Sequence, residues 1–161
     1  MTMQMPKPGA DHQKLQKIVG NWTGTEIVHP SPFDPKGGVA IGRVLNRLAL
    51  DGFAVVQDYE HERGGIVAFR GHGIFWWDAV RKAYVLSWFD SMGQPPNDFS
   101  GPFDGNVMTL TTVSSTTVQM QGLARATFDF NRRDGYAYKL EVSPDGKQWF
   151  PSISGEYKRQ I

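Results

Sequence analysis

The residues with the widest chemical range lie on two neighbouring segments, Ile66–Trp77 and Tyr84–Asp90, which are typical of the two strands of one hairpin. If the corner between them comprises the five residues 78–82, the register places six polar and aromatic side chains on one face. These are Arg70, His72, Trp76, Tyr84, Trp88 and Asp90. An imidazole, an ion pair and an apolar wall in one place suit an apolar ligand that carries one polar end.

The same hairpin supports two other interpretations. A change of one residue in the corner would put Arg70 and Asp90 on opposite faces. An external Arg–Asp pair would contribute only about 0.2–1 kcal/mol. Alternatively, His72 and Asp90 would form a general acid–base pair inside a dry cavity, as in a cofactor-free isomerase or cyclase.

A third segment, Thr117–Phe130, alternates between an apolar and a polar face. The apolar face carries Met120, Gly122, Ala124, Ala126, Phe128 and Phe130. The other face is dominated by Gln119, Gln121, Arg125, Thr127 and Asp129. A polar face normally points to solvent. A polar interior lined by Arg125 is the alternative, and it requires an acidic or anionic partner because an unpaired buried charge is costly.

Tyr59 and His61 alternate with Asp58 and Glu60 ahead of a Gly-Gly turn. The segment HERGG lacks the second histidine of a HExxH zinc site. We therefore interpret it as a solvated, mixed-charge hairpin tip and expect no metal, and we keep Tyr59 as a candidate ligand contact. The chain has no cysteine, no Gly-x-Ser-x-Gly elbow, no phosphate loop and no dinucleotide fingerprint, so we expect no cofactor.

Asp-Gly dipeptides, which begin at residues 51, 104, 134 and 145, indicate the elements that must position these side chains. Asp-Gly tolerates the positive φ of a tight hairpin turn. The strand candidates are Trp22–His29, Val39–Leu50, Phe53–His61, Ile66–Trp77, Tyr84–Asp90, Phe99–Phe103, Val107–Val113, Thr117–Phe130, Tyr136–Val142 and Trp149–Lys158. About ten strands joined by hairpins favour a closed antiparallel up-and-down β-barrel. Such a barrel is too wide for its own side chains to fill, so we expect a cavity.

A short helix precedes the strands. Asp11 suits its N-cap, Leu15, Ile18 and Val19 share one face, and Gly20 suits the C′ position. We expect residues 1–10 to form a flexible tail and residues 11–161 to form a single all-β domain. Two proline-rich loops, 29–38 and 92–103, are either lids or binding edges, or plain surface crossings.

The composition argues against two classes of partner, nucleic acids and membranes. Seventeen basic and sixteen acidic residues leave a net charge of +1 without a basic stripe, which argues against nucleic acid. The chain has no apolar run of the roughly 18 residues that a membrane span requires, and it begins without a signal peptide. We therefore expect a cytoplasmic protein without a membrane partner.

Two stretches carry a family resemblance. Residues 20–24, Gly-Asn-Trp-Thr-Gly, resemble the Gly-x-Trp opening of lipocalin-like (calycin) barrels. The segment from Phe69 to Gly93, FRGHGIFWWDAVRKAYVLSWFDSMG, resembles the signature of a bacterial calycin-like family, the fifteen-seventy-nine family of domains of unknown function. The resemblance implies a barrel in which Trp22 packs at the closed end as a structural plug. It implies no activity.

The same resemblance raises the question of haem binding. Nitrobindins share the barrel and its Gly-x-Trp-x-Gly start, and they bind haem through a histidine near the C-terminal strand. The histidines here stand at positions 12, 29, 61 and 72, and none matches that ligand. We therefore do not expect haem.

Taken together, these patterns predict a small-molecule-binding barrel for an apolar or aromatic ligand with one polar end. The acid–base enzyme described above is the first alternative. The second is a homodimer that pairs through an exposed aromatic patch, formed by Trp76, Trp77, Trp149 and Phe150.

Overall fold

The strands follow one another around a single antiparallel sheet. The computed structural model describes residues 2–112 and 122–161. The first six strands are β1 (Gly20–Val28), β2 (Gly38–Ala49), β3 (Ala54–Arg63), β4 (Ile66–Asp78), β5 (Ala83–Asp90) and β6 (Asn97–Gly101). The others are β7 (Phe103–Asp104), β8 (Val107–Thr112), β9 (Leu123–Arg132), β10 (Gly135–Ser143) and β11 (Phe150–Arg159). Neighbours in the sheet are consecutive in the chain from β1 to β6 and from β7 to β11, whereas β6 pairs with β8 and β1 pairs with β11.

Closure of the sheet depends on a strand that proline interrupts. Both β6 and β7 pair with β8, and Pro102 separates them because it has no N–H to donate to the ladder. The two pieces act as one strand, so the barrel is ten-stranded and closed. This confirms the predicted architecture. Residues 113–121, which include the start of the predicted strand Thr117–Phe130, lie outside the described residues.

The N-terminal helix is shorter than predicted. It spans Ala10–Lys14 (α1) and continues as a 3₁₀ turn, Leu15–Ile18. The prediction of Asp11 as the N-cap is wrong, because the N-cap is Gly9. The N–H of Gly9 donates to His12 Nδ1 at 3.1 Å, so the helix begins earlier in the chain. Gly20 does not end the helix; it begins β1. No helix within the described residues is long and apolar enough to cross a membrane.

The helix and Trp22 close one end of the barrel. Trp22 is 1% exposed, and its indole N–H donates to the carbonyl of Ile18 at 3.1 Å. The side-chain amide of Asn46 donates to the same carbonyl at 2.8 Å. The guanidinium of Arg159 covers the outer face of the indole at 4.2 Å. Trp22 is therefore a structural plug, as the resemblance implies.

The corner between β4 and β5 is one residue shorter than the five-residue alternative. Asp78 pairs with Ala83, which leaves a four-residue loop. The Asp78 carboxylate tightens this loop by accepting the N–H groups of Val80 and Arg81 at 3.0 and 3.1 Å. The register that places Arg70, His72 and Asp90 on one face is therefore wrong, because a shift of one residue reverses the face of every side chain.

We predict that Trp22→Ala lowers the free energy of unfolding by about 3–5 kcal/mol, because it leaves a cavity beneath the helix and removes the indole hydrogen bond to the Ile18 carbonyl. Urea denaturation followed by circular dichroism measures the change. Trp149→Ala is the matched control, since that indole stacks on Arg125 outside the barrel, and it should cost about 1 kcal/mol or less. Equal losses in both variants would show that Trp22 does not close the barrel.

Candidate functional site

A cavity of about 390 Å³ lies inside the barrel. Most of its wall is apolar and comes from inward-facing side chains of nine strands; representative members are Phe69, Leu86, Trp88, Phe99, Phe128 and Ile153. It extends to the loop after β5, where Met92, Gln94 and Pro95 line it. That loop belongs to one of the two proline-rich connections. The volume of the cavity falls in the range of small-molecule sites, about 300–1,000 Å³.

A buried carboxylate organises one side of the cavity. Glu26 on β1 has no exposed surface. It accepts hydrogen bonds from the Tyr59 hydroxyl at 2.8 and 2.9 Å, from His61 Nδ1 at 2.7 Å and from the Tyr157 hydroxyl. Burying a charge is costly unless donors surround it. Tyr59, His61 and Tyr157 supply those donors and also line the cavity. We refer to these four residues as the Glu26 cluster.

A glycine on β2 makes room for the Glu26 cluster. Gly42 faces inward between β1 and β3. A Cβ atom at this position would overlap the Tyr157 hydroxyl and would lie 2.5 Å from Glu26 Oε1. The cluster therefore requires a residue without a side chain at position 42.

The cluster determines which ring nitrogen of His61 is free. An ionised carboxylate only accepts hydrogen bonds, so the Nδ1 atom that faces Glu26 carries the proton. In the neutral ring the lone pair is then on Nε2, which has no hydrogen-bond partner among the described residues. This is the arrangement in which a histidine accepts a hydrogen bond or a proton from a bound molecule. The described part of the chain holds no group of three or more His, Cys, Asp or Glu side chains suited to a metal ion.

Further polar groups stand on the same wall. The Gln57 amide nitrogen donates to Asn46 Oδ1 at 2.9 Å, which connects the cavity to the plugged end. Asp90 accepts the Trp88 indole N–H and the Met92 backbone N–H, both at 3.0 Å. The hydroxyl of Tyr138, a cavity residue, has no hydrogen-bond partner among the described residues.

Every tyrosine of the chain has a raised pKa. For Tyr59, Tyr138 and Tyr157, desolvation by burial raises the pKa most, and the negative charge of Glu26 raises it further. Burial also raises the pKa of Tyr136, with contributions from Tyr138 and Glu26. Tyr84 has a raised pKa through burial and the nearby Asp11. The hydroxyls of the cavity are therefore protonated at neutral pH.

The sequence between residues 7 and 159 matches the model of a family described as "Protein of unknown function (DUF1579)". The chain belongs to the DUF1579 family. A solved structure with a similar fold is that of Rv2717c from M. tuberculosis, at a TM-score of 0.73 and 14% identity, covering 95% of this chain and 99% of that one. At this identity the likeness concerns the fold alone. The search of curated proteins found no match.

In this DUF1579 protein, four of the eight predicted site residues lie inside the barrel. Tyr59, Trp88 and Asp90 line the cavity. Tyr84 is 4% exposed, and its hydroxyl donates to the carbonyl of Asp11 at 2.9 Å, so it ties the barrel to the helix. It is absent from the cavity wall.

Arg70, His72 and Trp76 are on the outer face of β4, contrary to the prediction. His72 Nδ1 lies 2.8 Å from Asp58, and the Trp76 indole donates to Ser87 at 3.2 Å. The reason is the shorter corner, which pairs His72 with Phe89 and leaves Asp90 facing inward. The acid–base pair of His72 and Asp90 is therefore wrong.

Arg125 also faces outward. It forms an ion pair with Glu141 at 3.0 Å and stacks on the Trp149 ring at 4.1 Å. The inward positions beside it belong to Ala124 and Ala126, whose apolar side chains are buried. A polar interior lined by Arg125 is therefore wrong, and the solvent-facing alternative holds.

The proposed aromatic patch is not continuous, because consecutive strand residues point to opposite faces. Trp77 faces inward and packs on Tyr84, with ring centroids 4.8 Å apart, whereas Trp76 faces outward. The patch predicted for a homodimer is wrong in this respect.

Three residues of the Glu26 cluster were missed from the sequence: Glu26 itself, His61 and Tyr157. The interpretation of His61 as part of a solvated tip is wrong, since the residue is only 8% exposed. A signal for Glu26 exists in β1, where it shares the inward face with the buried Trp22. The match between Glu26 and His61 could not be read from one sequence, because it depends on the register of three strands.

We predict that Gly42→Ala costs about 1–3 kcal/mol of stability, since the new methyl group displaces the Tyr157 hydroxyl from Glu26. Urea denaturation measures the loss. Thr25→Ala, on the exposed face of the neighbouring strand, is the control and should change stability by about 0.5 kcal/mol or less. A Gly42→Ala protein as stable as the control would contradict the packing described here.

We also predict that no tyrosine ionises near the usual pKa of about 10 while the protein is folded. Unfolded tyrosines lose protons above that pH, whereas the folded ones keep them, so the unfolded state binds fewer protons and stability falls as the pH rises past about 10. Near-ultraviolet phenolate absorbance should therefore appear only with alkaline unfolding. In denaturant, all five tyrosines should titrate at the ordinary value. Gradual ionisation of folded protein would contradict the buried positions.

Proposed function

We propose that the barrel binds a small apolar or aromatic molecule with one polar end. The cavity of about 390 Å³ carries this proposal. Its wall combines a continuous apolar surface with polar groups that converge from one side, which is the usual composition of ligand pockets.

The location of the polar groups supports binding over a purely structural role. A buried carboxylate surrounded by donors would stabilise little that an apolar core could not. The Glu26 cluster, however, lines the cavity with Tyr59, His61 and Tyr157, of which His61 Nε2 and the two phenolic oxygens keep lone pairs. These atoms can orient the polar end of a ligand while the rings of Trp88 and Phe128 contact its body.

The proposal predicts that the neutral fluorophore N-phenyl-1-naphthylamine binds with a rise in emission, and that filling the cavity prevents it. Ala126→Trp places an indole at the small inward position of β9 and should weaken binding at least tenfold. Thr127→Trp, whose side chain points outward on the same strand, is the matched control and should bind as the wild type does. Ala124→Leu provides a smaller obstruction should the indole prevent folding.

Native mass spectrometry of the purified protein adds a second measurement. A co-purifying molecule that is absent from the Ala126→Trp protein would support a cargo role. Wild-type protein that binds neither this fluorophore nor any member of a broad panel of apolar molecules, or that binds them as well as the filled variant does, would overturn the proposal.

A further inference from the structure

The hydrogen-bond donors of the Glu26 cluster are already committed. The hydroxyls of Tyr59 and Tyr157 and the Nδ1–H of His61 all donate to Glu26. The Gln57 amide nitrogen donates to Asn46, whose own amide donates to the backbone. Acceptors remain: the two phenolic oxygens, the His61 Nε2 lone pair and the Gln57 carbonyl. A ligand that satisfies them must bring donors.

Both carboxylates at the site, Glu26 and Asp90, carry negative charge. Glu26 stands behind the wall and Asp90 stands in it. No lysine or arginine lines the cavity within residues 2–112 and 122–161. Because each phenolic O–H points at the Glu26 carboxylate, its oxygen is polarised and presents a stronger acceptor to the cavity.

Aromatic rings surround the same space. Tyr59 lies 6.1 Å from Phe69 and 6.2 Å from Trp88, centroid to centroid. Tyr136 and Tyr157 stack at 4.8 Å on another part of the wall. The negative faces of such rings attract a cation, most strongly where water is excluded.

We propose that the polar end of the ligand is a protonated amine. This rests on the binding role proposed above and names its ligand class: an apolar or aromatic body that carries an ammonium group. The N–H groups of the ammonium pair with the oxygens of Tyr59 and Tyr157 and with His61 Nε2. Glu26 acts as a positioning residue, because it orients these acceptors and balances the charge without touching the ligand.

A ligand whose polar end is a carboxylate is the alternative to a protonated amine. It would face Glu26 and Asp90, and like charges in a poorly solvated site repel each other. Its favourable partners would be a protonated His61 and the hydroxyl of Tyr138, which is free of partners among the described residues. The relative affinity of matched amines and acids therefore decides between the two.

The experiment compares phenylbutylamine, phenylbutanol and phenylbutanoate by isothermal titration calorimetry at neutral pH. These probes share one aromatic body and differ in the charge of the end group. We expect the amine to bind at least tenfold more tightly than the alcohol, and the alcohol more tightly than the acid. Ala126→Trp should abolish all three signals, which places binding in the cavity.

Charge variants test the carboxylates. Glu26→Gln should cut amine affinity at least tenfold and leave alcohol affinity within about threefold, and Asp90→Asn should act in the same direction without touching the cluster. Glu60→Gln is the control, because it neutralises an outward carboxylate on β3 between Tyr59 and His61. Thermal melting of each variant shows that it is folded.

The outcomes separate the two proposals. Alcohol or acid binding that equals or exceeds amine binding overturns the amine assignment and leaves the binding role standing. An amine preference that survives both Glu26→Gln and Asp90→Asn also overturns it. A cavity that binds none of the three, or anything else in the wider panel, overturns the binding role and this inference together.

Discussion

A carboxylate without exposed surface stays charged inside a protein only when neighbouring groups donate hydrogen bonds to it, and Glu26 has three such neighbours. This requirement links three strands, because Glu26 lies on β1, Tyr59 and His61 on β3, and Tyr157 on β11. It explains the glycine at position 42, where a side chain would occupy the meeting point of the donors. The orientation of the acceptors on Tyr59, His61 and Tyr157 follows from the same carboxylate.

The closed sheet makes this site both enclosed and accessible. Ten strands set a diameter that inward side chains do not fill. The helix, Trp22 and Asn46 seal one end through the carbonyl of Ile18, so the space that remains extends toward the other end. The loop after β5 contributes Met92, Gln94 and Pro95 to its wall. The other proline-rich loop, residues 29–38, is held differently, because Arg63 binds Asp34 and the carbonyl of Gly37.

The fold was largely readable from the sequence, whereas the site was readable only in part. Alternating strands and Asp-Gly turns are local signals, and a residue with positive φ is present at each of the four turns. Inside and outside could not be assigned on the β4–β5 hairpin, because one residue in the corner decides the face of Arg70 and His72. Glu26 was missed because burial of a charge becomes plausible only once its donors are known, and these come from strands distant in the chain. Arg125 is the opposite case, a charged residue weighed as an interior group whose partners, Glu141 and Trp149, lie on the outer face of the barrel.

The pairing of β1 with β11 has a consequence for how the molecule forms. Glu26 and Tyr157 are 131 positions apart, yet their side chains share a hydrogen bond. Contacts of such long sequence separation slow folding, since the entropy of closing the loop is lost before the contact is made. On the ribosome, the last strand emerges after all the others. The interior chemistry of this barrel is therefore completed only when the first and last strands of the sheet meet.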